Sequence, residues 1–250
     1  MTLRHAALLA SALAAPNLLH AAADQNFEVI VDASRAPDAQ PYVAPVKALL
    51  NEWYPKINVL LFGERHRLPF NKIEVIFESN MDSRQPRNPL AGASAYTKGN
   101  VIHVDFGYLR RMRSDYRGLF IHELTHVNQH YKRVEGDGWL VEGIASYVRH
   151  KYFDKDIEPA LRLQSDGKAR GYPLTSAQLT ADGYKFGYTI ASAFLFWLEQ
   201  QKDPNIVLSL NEALSKGRYS DKVFLKRCGA PLPQLWSEFL AFSVAKSNAG

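Results

Sequence analysis

"FIHELTHVNQHYKR", Phe120 to Arg133, is the stretch on which the reading of this chain turns. It spaces His122, His126 and His130 four residues apart and sets Glu123 beside the first. Residues four apart on an α-helix lie on one face, a turn from each other. His122 and His126 can therefore aim both imidazoles at a single cation, while Glu123 faces the adjacent side. Phe120, Ile121, Leu124 and Val127 supply the apolar flank that holds such a helix inside a protein. The plain alternative is a helix with histidines on its surface.

A catalytic zinc takes three protein ligands and keeps a fourth position open, so two histidines leave the set one short. His130 continues the spacing, but each helical turn advances about 5.4 Å along the axis. That carries it past an ion held about 2.0–2.1 Å from the other two nitrogens. Reaching back would need a break after His126, and Val127–Gln129 contains neither Gly nor Pro. His130 is read instead as a polar residue at the helix exit or cleft rim. Glu142 lies sixteen residues after His126, in "WLVEGIASY", a helical pattern that follows the turn-forming "VEGDG". Such a turn can fold the second helix back across the first, and the small Ala145 and Ser146 allow a close approach. Glu142 is the expected third ligand. In "GYKFGYTIASAFLFWL", Tyr188, Ala191, Leu195 and Leu198 mark an inward stripe, with Tyr188 in the first turn. Its hydroxyl, facing the cleft, would stabilise the oxyanion of amide hydrolysis. Tyr184 is the reserve for that role.

Around this constellation the 250-residue chain is 46% hydrophobic, enough for a sizeable core in one or at most two domains. Its formal charge of +5 is spread among acidic residues, and "YLRRMRSDYR" is the densest basic cluster. That is a solvated basic face rather than a nucleic-acid tract. Residues 1–23 read as a signal peptide: cationic "MTLRH", apolar "AALLASALAAPNLL", then Ala21-Ala22-Ala23 as a cleavage site. The expected mature domain spans 24–250, with no membrane span, and is exported to a periplasmic or extracellular location as a monomer. The single cysteine, Cys228, excludes an internal disulfide and is read as a plain buried thiol.

Strands are expected first: "NFEVIVDAS", "KIEVIFES", and "SAYTKGNVIHVDF" as a hairpin turning at Lys98-Gly99-Asn100. Apolar residues at helical spacing from Val46 to Leu61 predict a helix that Pro55 kinks or splits. Later segments are helical, beginning with one from Ser114 or Asp115 through His130. "WLVEGIASYVRHKYF", "YTIASAFLFWLEQQ", "NIVLSLNEALSKG", "DKVFLKRCG" and "LPQLWSEFLAFSVAK" follow. The class is α+β, with the site where sheet and helices meet.

These motifs resemble the plant basic secretory protein family, gluzincin-type zinc peptidases with bacterial members. "HELTHVNQH" is similar to its HE-x-THV-x-Q, "EGIASYVR" (Glu142 to Arg149) to its EGIADYVR, and "GYTIASAFL" (Gly187 to Leu195) to its GYDVTARFL. The likeness runs from about Ala95 to the C-terminus and includes the tail "QLWSEFLAF". It implies a zincin-like fold with Zn2+ held by His122, His126 and Glu142, Glu123 as general base, Tyr188 as third-motif tyrosine, and a peptide or protein substrate. Two residues depart from the pattern. Ser146 stands where the family has an aspartate able to orient a ligand histidine, which predicts a weaker orienting role. Asn128 replaces a tryptophan, which bears on cleft shape. The rival to a secreted zinc metallopeptidase is a secreted, metal-stabilised binding protein with little catalysis.

Overall fold

In a computed structural model the described residues are 26–79, 94–111, 116–131, 137–157 and 180–248. The expected leader and the helix start at Ser114 or Asp115 lie outside them. Four strands come early: β1 (Glu28–Asp32), β2 (Lys72–Glu78), β3 (Ala95–Lys98) and β4 (Val101–Asp105). Among the described residues eight α-helices accompany them: α1 (Gln40–Phe62), α2 (Phe106–Arg111), α3 (Tyr116–Gln129), α4 (Gly138–Val148), α5 (Tyr188–Gln201), α6 (Ile206–Ser215), α7 (Lys222–Cys228) and α8 (Leu232–Asn248). The class is α+β, as expected.

The sheet is mixed, in the order β1-β2-β4-β3. β1, β2 and β4 run parallel and β3 pairs antiparallel with β4 at the edge. Strict alternation in β2 and β4 turns Ile73, Val75, Phe77, Ile102 and Val104 to one face, where all are buried. α1 and α3 cover that face: the Phe77 and Phe120 rings meet edge-on at 6.1 Å, and Leu50, Tyr54 and Ile57 fill the space beside them. A second aromatic layer joins α4, α5 and α8, where Phe194 meets Trp236 at 5.3 Å and Phe239 at 5.5 Å.

α1 departs from one of the two alternatives expected at Pro55, the split. It runs unbroken through Pro45 and Pro55, so Pro55 does not split it. A proline inside a helix costs about 3 kcal/mol. Val46, Leu49, Leu50, Tyr54, Ile57 and Leu61 are all buried along this helix, and fully burying one such side chain contributes about 1.5–3 kcal/mol. Packing wins. α2 was not anticipated; "NVIHVDF" reads as one strand, but Asp105 caps a helix by accepting the Tyr108 N–H at 2.8 Å. Half-buried Cys228 closes α7, and burial pushes its thiol up to about 11, so it stays protonated.

α4 and α5 carry the closest helix packing, and Gly143 explains it. A Cβ built there would lie 2.7 Å from the Ala191 Cβ. Ala145 and Ser146 are the small residues expected at the α3–α4 approach; at the α4–α5 approach the small residue is Gly143. At the far end, Lys151 Nζ donates to both Glu199 oxygens at 2.6 Å and ties the segment after α4 to α5. Gly143→Ala gains about 1 kcal/mol of helix propensity. It loses about 1–3 kcal/mol to overpacking. The expected net result is a melting temperature lower by a few degrees in a calorimetric scan.

Candidate metal centre

α3 and α4 bring His122, His126 and Glu142 together. His122 Nε2 lies 3.0 Å from Glu142 Oε2 and 3.1 Å from His126 Nε2, and the third side of the triangle is 3.4 Å. Donor atoms at about 2.0–2.1 Å from one tetrahedral ion stand about 3.3–3.4 Å apart. Two imidazole nitrogens and a carboxylate oxygen at these separations form a group able to hold a metal ion. Both histidines lie deep in the fold, while the Glu142 side chain keeps 32% exposure, so the centre opens to the surface on the α4 side.

The charges in this triangle depend on one another. Burial keeps His122 below its ordinary value, with Glu142 opposing. Burial also disfavours a charged His126, but the Glu142 hydrogen bond and carboxylate, helped by Glu123, outweigh it and raise His126 to about 9. Burial alone would raise Glu142; the two imidazoles hold it well below the usual carboxylate range. Without a cation, then, the site keeps an ionised carboxylate against a protonated imidazole. A metal ion bound at His126 Nε2 would have to displace that proton.

Gln129, which the sequence reading did not single out, fixes which nitrogen is free. Its Nε2 donates to the Val141 carbonyl at 3.1 Å, which turns Oε1 towards His126 Nδ1 at 2.8 Å. An amide oxygen only accepts, so Nδ1 carries the hydrogen and the neutral ring keeps its Nε2 lone pair for the cation. The signal was present: Gln129 is three residues after His126 and so shares its face of α3. Ser146 Oγ takes the matching place at His122 Nδ1, at 3.3 Å. That contact is longer than the one Gln129 makes to His126.

Glu123 is buried beside the triad on the sheet side. Thr97 of β3 donates to its Oε2 at 2.7 Å and approaches its main-chain oxygen at 3.1 Å. Tyr188 stacks on His122 with ring centroids 5.9 Å apart and is 58% exposed. The chain reaches this position through two consecutive positive φ angles, +68° at Gly187 and +46° at Tyr188. Gly187 also has ψ near −157°, a region that side chains exclude. Tyr184 is instead core: it is buried against Trp139 at 4.7 Å and Trp236 at 5.8 Å.

His130 and Asn128 complete the comparison with the sequence. His130 follows the last residue of α3 at φ +30°, exposed, with its ring against Phe70 at 4.6 Å. It sits at the helix exit and outside the triad. Asn128 does not shape the cleft. It is buried towards α1 and donates to the Leu124 carbonyl at 3.0 Å. A second His/Asp group, His150, Asp154 and Asp156, follows α4. Its charges are met internally: His150 Nδ1 lies 2.9 Å from Asp156, and Arg149 Nε donates to Asp154 at 2.8 Å.

The edge strand β3 and the helices α3 and α4 thus converge on a group of side chains that could hold a metal ion. The chain belongs to the BSP family, described as "Peptidase of plants and bacteria", whose model matches residues 26–239. That match carries the resemblance upstream of Ala95, through the first strands. Searches of curated proteins and of solved structures find no match.

Proposed function

We propose that this protein is an exported, zinc-dependent peptidase of zincin-like, gluzincin type. The observation that carries the reading is the triangle of His122 Nε2, His126 Nε2 and Glu142 Oε2, with sides of 3.0, 3.1 and 3.4 Å. Its N, N, O donor set suits zinc, and among the described residues it offers three ligands, as catalytic sites do. When bound, the ion would supply Lewis acidity that polarises a carbonyl and acidifies water. Glu123 takes the proton of the attacking water and later delivers it to the leaving amine, a base turned acid. Tyr188 donates its hydroxyl hydrogen to the oxyanion that forms as the amide carbonyl is attacked. The outer edge of β3 seats an extended peptide by strand addition. Export rests on the N-terminal segment that ends in Ala21-Ala22-Ala23.

The test is incubation of the zinc-loaded protein with unfolded casein, with and without a chelator. Cleavage that the chelator abolishes is the expected result. Bound zinc with no cleavage of casein or of a diverse peptide set would overturn the peptidase. It would leave a secreted, metal-stabilised binding protein, the reading that the long Ser146–His122 contact favours.

A further inference from the structure

The hairpin before α3 has two ways of acting on the site through one residue. β3 pairs with β4 in the register Ala95↔Val104, Tyr96↔His103, Thr97↔Ile102 and Lys98↔Val101, and Asp105 N–H donates to Ser94 O at 3.0 Å. Opposed residues in an antiparallel pair alternate between exchanging both hydrogen bonds and exchanging none. Ser94, Tyr96 and Lys98 therefore bond to β4, while Ala95 and Thr97 turn their N–H and C=O groups to the outer edge. The side chain of Thr97 shares a face with that of buried Ile102 and reaches under the sheet to α3. Its hydroxyl has one hydrogen, and the shorter 2.7 Å contact to the side-chain Oε2 takes it in preference to the 3.1 Å contact with the main chain. Among the described residues, Thr97 is the hydrogen-bond partner of the Glu123 carboxylate.

We propose that Thr97 is the positioning residue of this site: its main chain grips a peptide on the β3 edge while its hydroxyl holds the Glu123 carboxylate in line with that peptide. This rests on the peptidase reading and deepens it. The base and the substrate are then registered to the same strand residue, so seating the peptide and placing the proton acceptor are one geometric event. Oε1 is left to accept the proton. Tyr96 and Lys98, one position to either side, point to the opposite face of the sheet and cannot substitute.

Thr97→Val keeps the branched shape and the main-chain groups and removes only the donor, while Thr97→Ser restores the donor. Both are compared with wild type in the zinc-loaded full chain, on casein and on a fluorogenic peptide drawn from a casein cut site. Thr97→Val is expected to lower kcat about 10–100-fold with full zinc content. KM stays within about twofold, because ground-state binding through the main chain is untouched. Thr97→Ser recovers most of the loss. Crystal structures give the readout that does not depend on turnover: the Glu123 carboxylate leaves its wild-type position in Thr97→Val and keeps it in Thr97→Ser. An undiminished kcat in Thr97→Val, a loss that Thr97→Ser shares, or an unmoved carboxylate overturns the assignment. If wild type cleaves nothing, the peptidase reading falls separately, and the carboxylate position still decides whether Thr97 holds Glu123.

Discussion

Replacing Glu123 by glutamine is expected to lower peptide turnover by about 10²–10⁴-fold, the usual contribution of a positioned acid–base group. The metal is expected to stay. Glu123 sits outside the triangle of His122, His126 and Glu142, so no ligand is lost. Glutamine also preserves the local geometry, since its amide oxygen can still accept the Thr97 hydroxyl that now reaches Oε2 at 2.7 Å. What disappears is the ability to take a proton. The check pairs kcat on casein with zinc content by atomic absorption, measured on one preparation. Wild-type turnover in Glu123→Gln removes Glu123 from the mechanism, and loss of zinc would show that it has a role in holding the ion.

Tyr188→Phe is expected to cost about 10²–10³-fold in kcat, the range seen when one oxyanion donor is removed. The substitution is a narrow one. Phenylalanine keeps the ring that stacks on His122 at 5.9 Å and the backbone that passes through φ +46°. Burial, reinforced by the Glu142 and Glu123 carboxylates, raises the Tyr188 pKa, so the hydroxyl keeps its hydrogen at neutral pH. A non-glycine residue at positive φ costs of order 1–3 kcal/mol, which the fold must sustain to carry this ring to the cleft. KM and zinc content should remain near wild type, because nothing that binds the ground state has changed. If kcat is also unchanged, the hydroxyl donates to nothing in the transition state and the tyrosine serves only as a wall of the cleft.

The three metal-centre residues were legible because each belongs to a local pattern. His122 and His126 share a helix face by spacing alone, and Glu142 follows from a turn that folds one helix over the next. Thr97 was not legible as a partner of Glu123. The two are 26 residues apart and meet only because β3 lies at the sheet edge next to α3, a fact of strand order and not of sequence period. Gln129 was legible in principle by its helical spacing, but its partner Val141 lies on another helix. The split at Pro55 is absent from α1 for an energetic reason: a local signal there competes with burial along the whole helix, and the rule for prolines does not see the sum. Asn128 misled through position, since a residue beside a site in sequence can face the opposite side of its helix.

The single amide of Gln129 joins an imidazole on one helix to a carbonyl on the next, one residue before Glu142. His126 and its carboxylate neighbour are thereby harnessed to a common crossbar, and a slide of either helix swings both. Warming such a centre should release its ion in one step, with no half-dismantled form in which one arm lets go while the others keep hold.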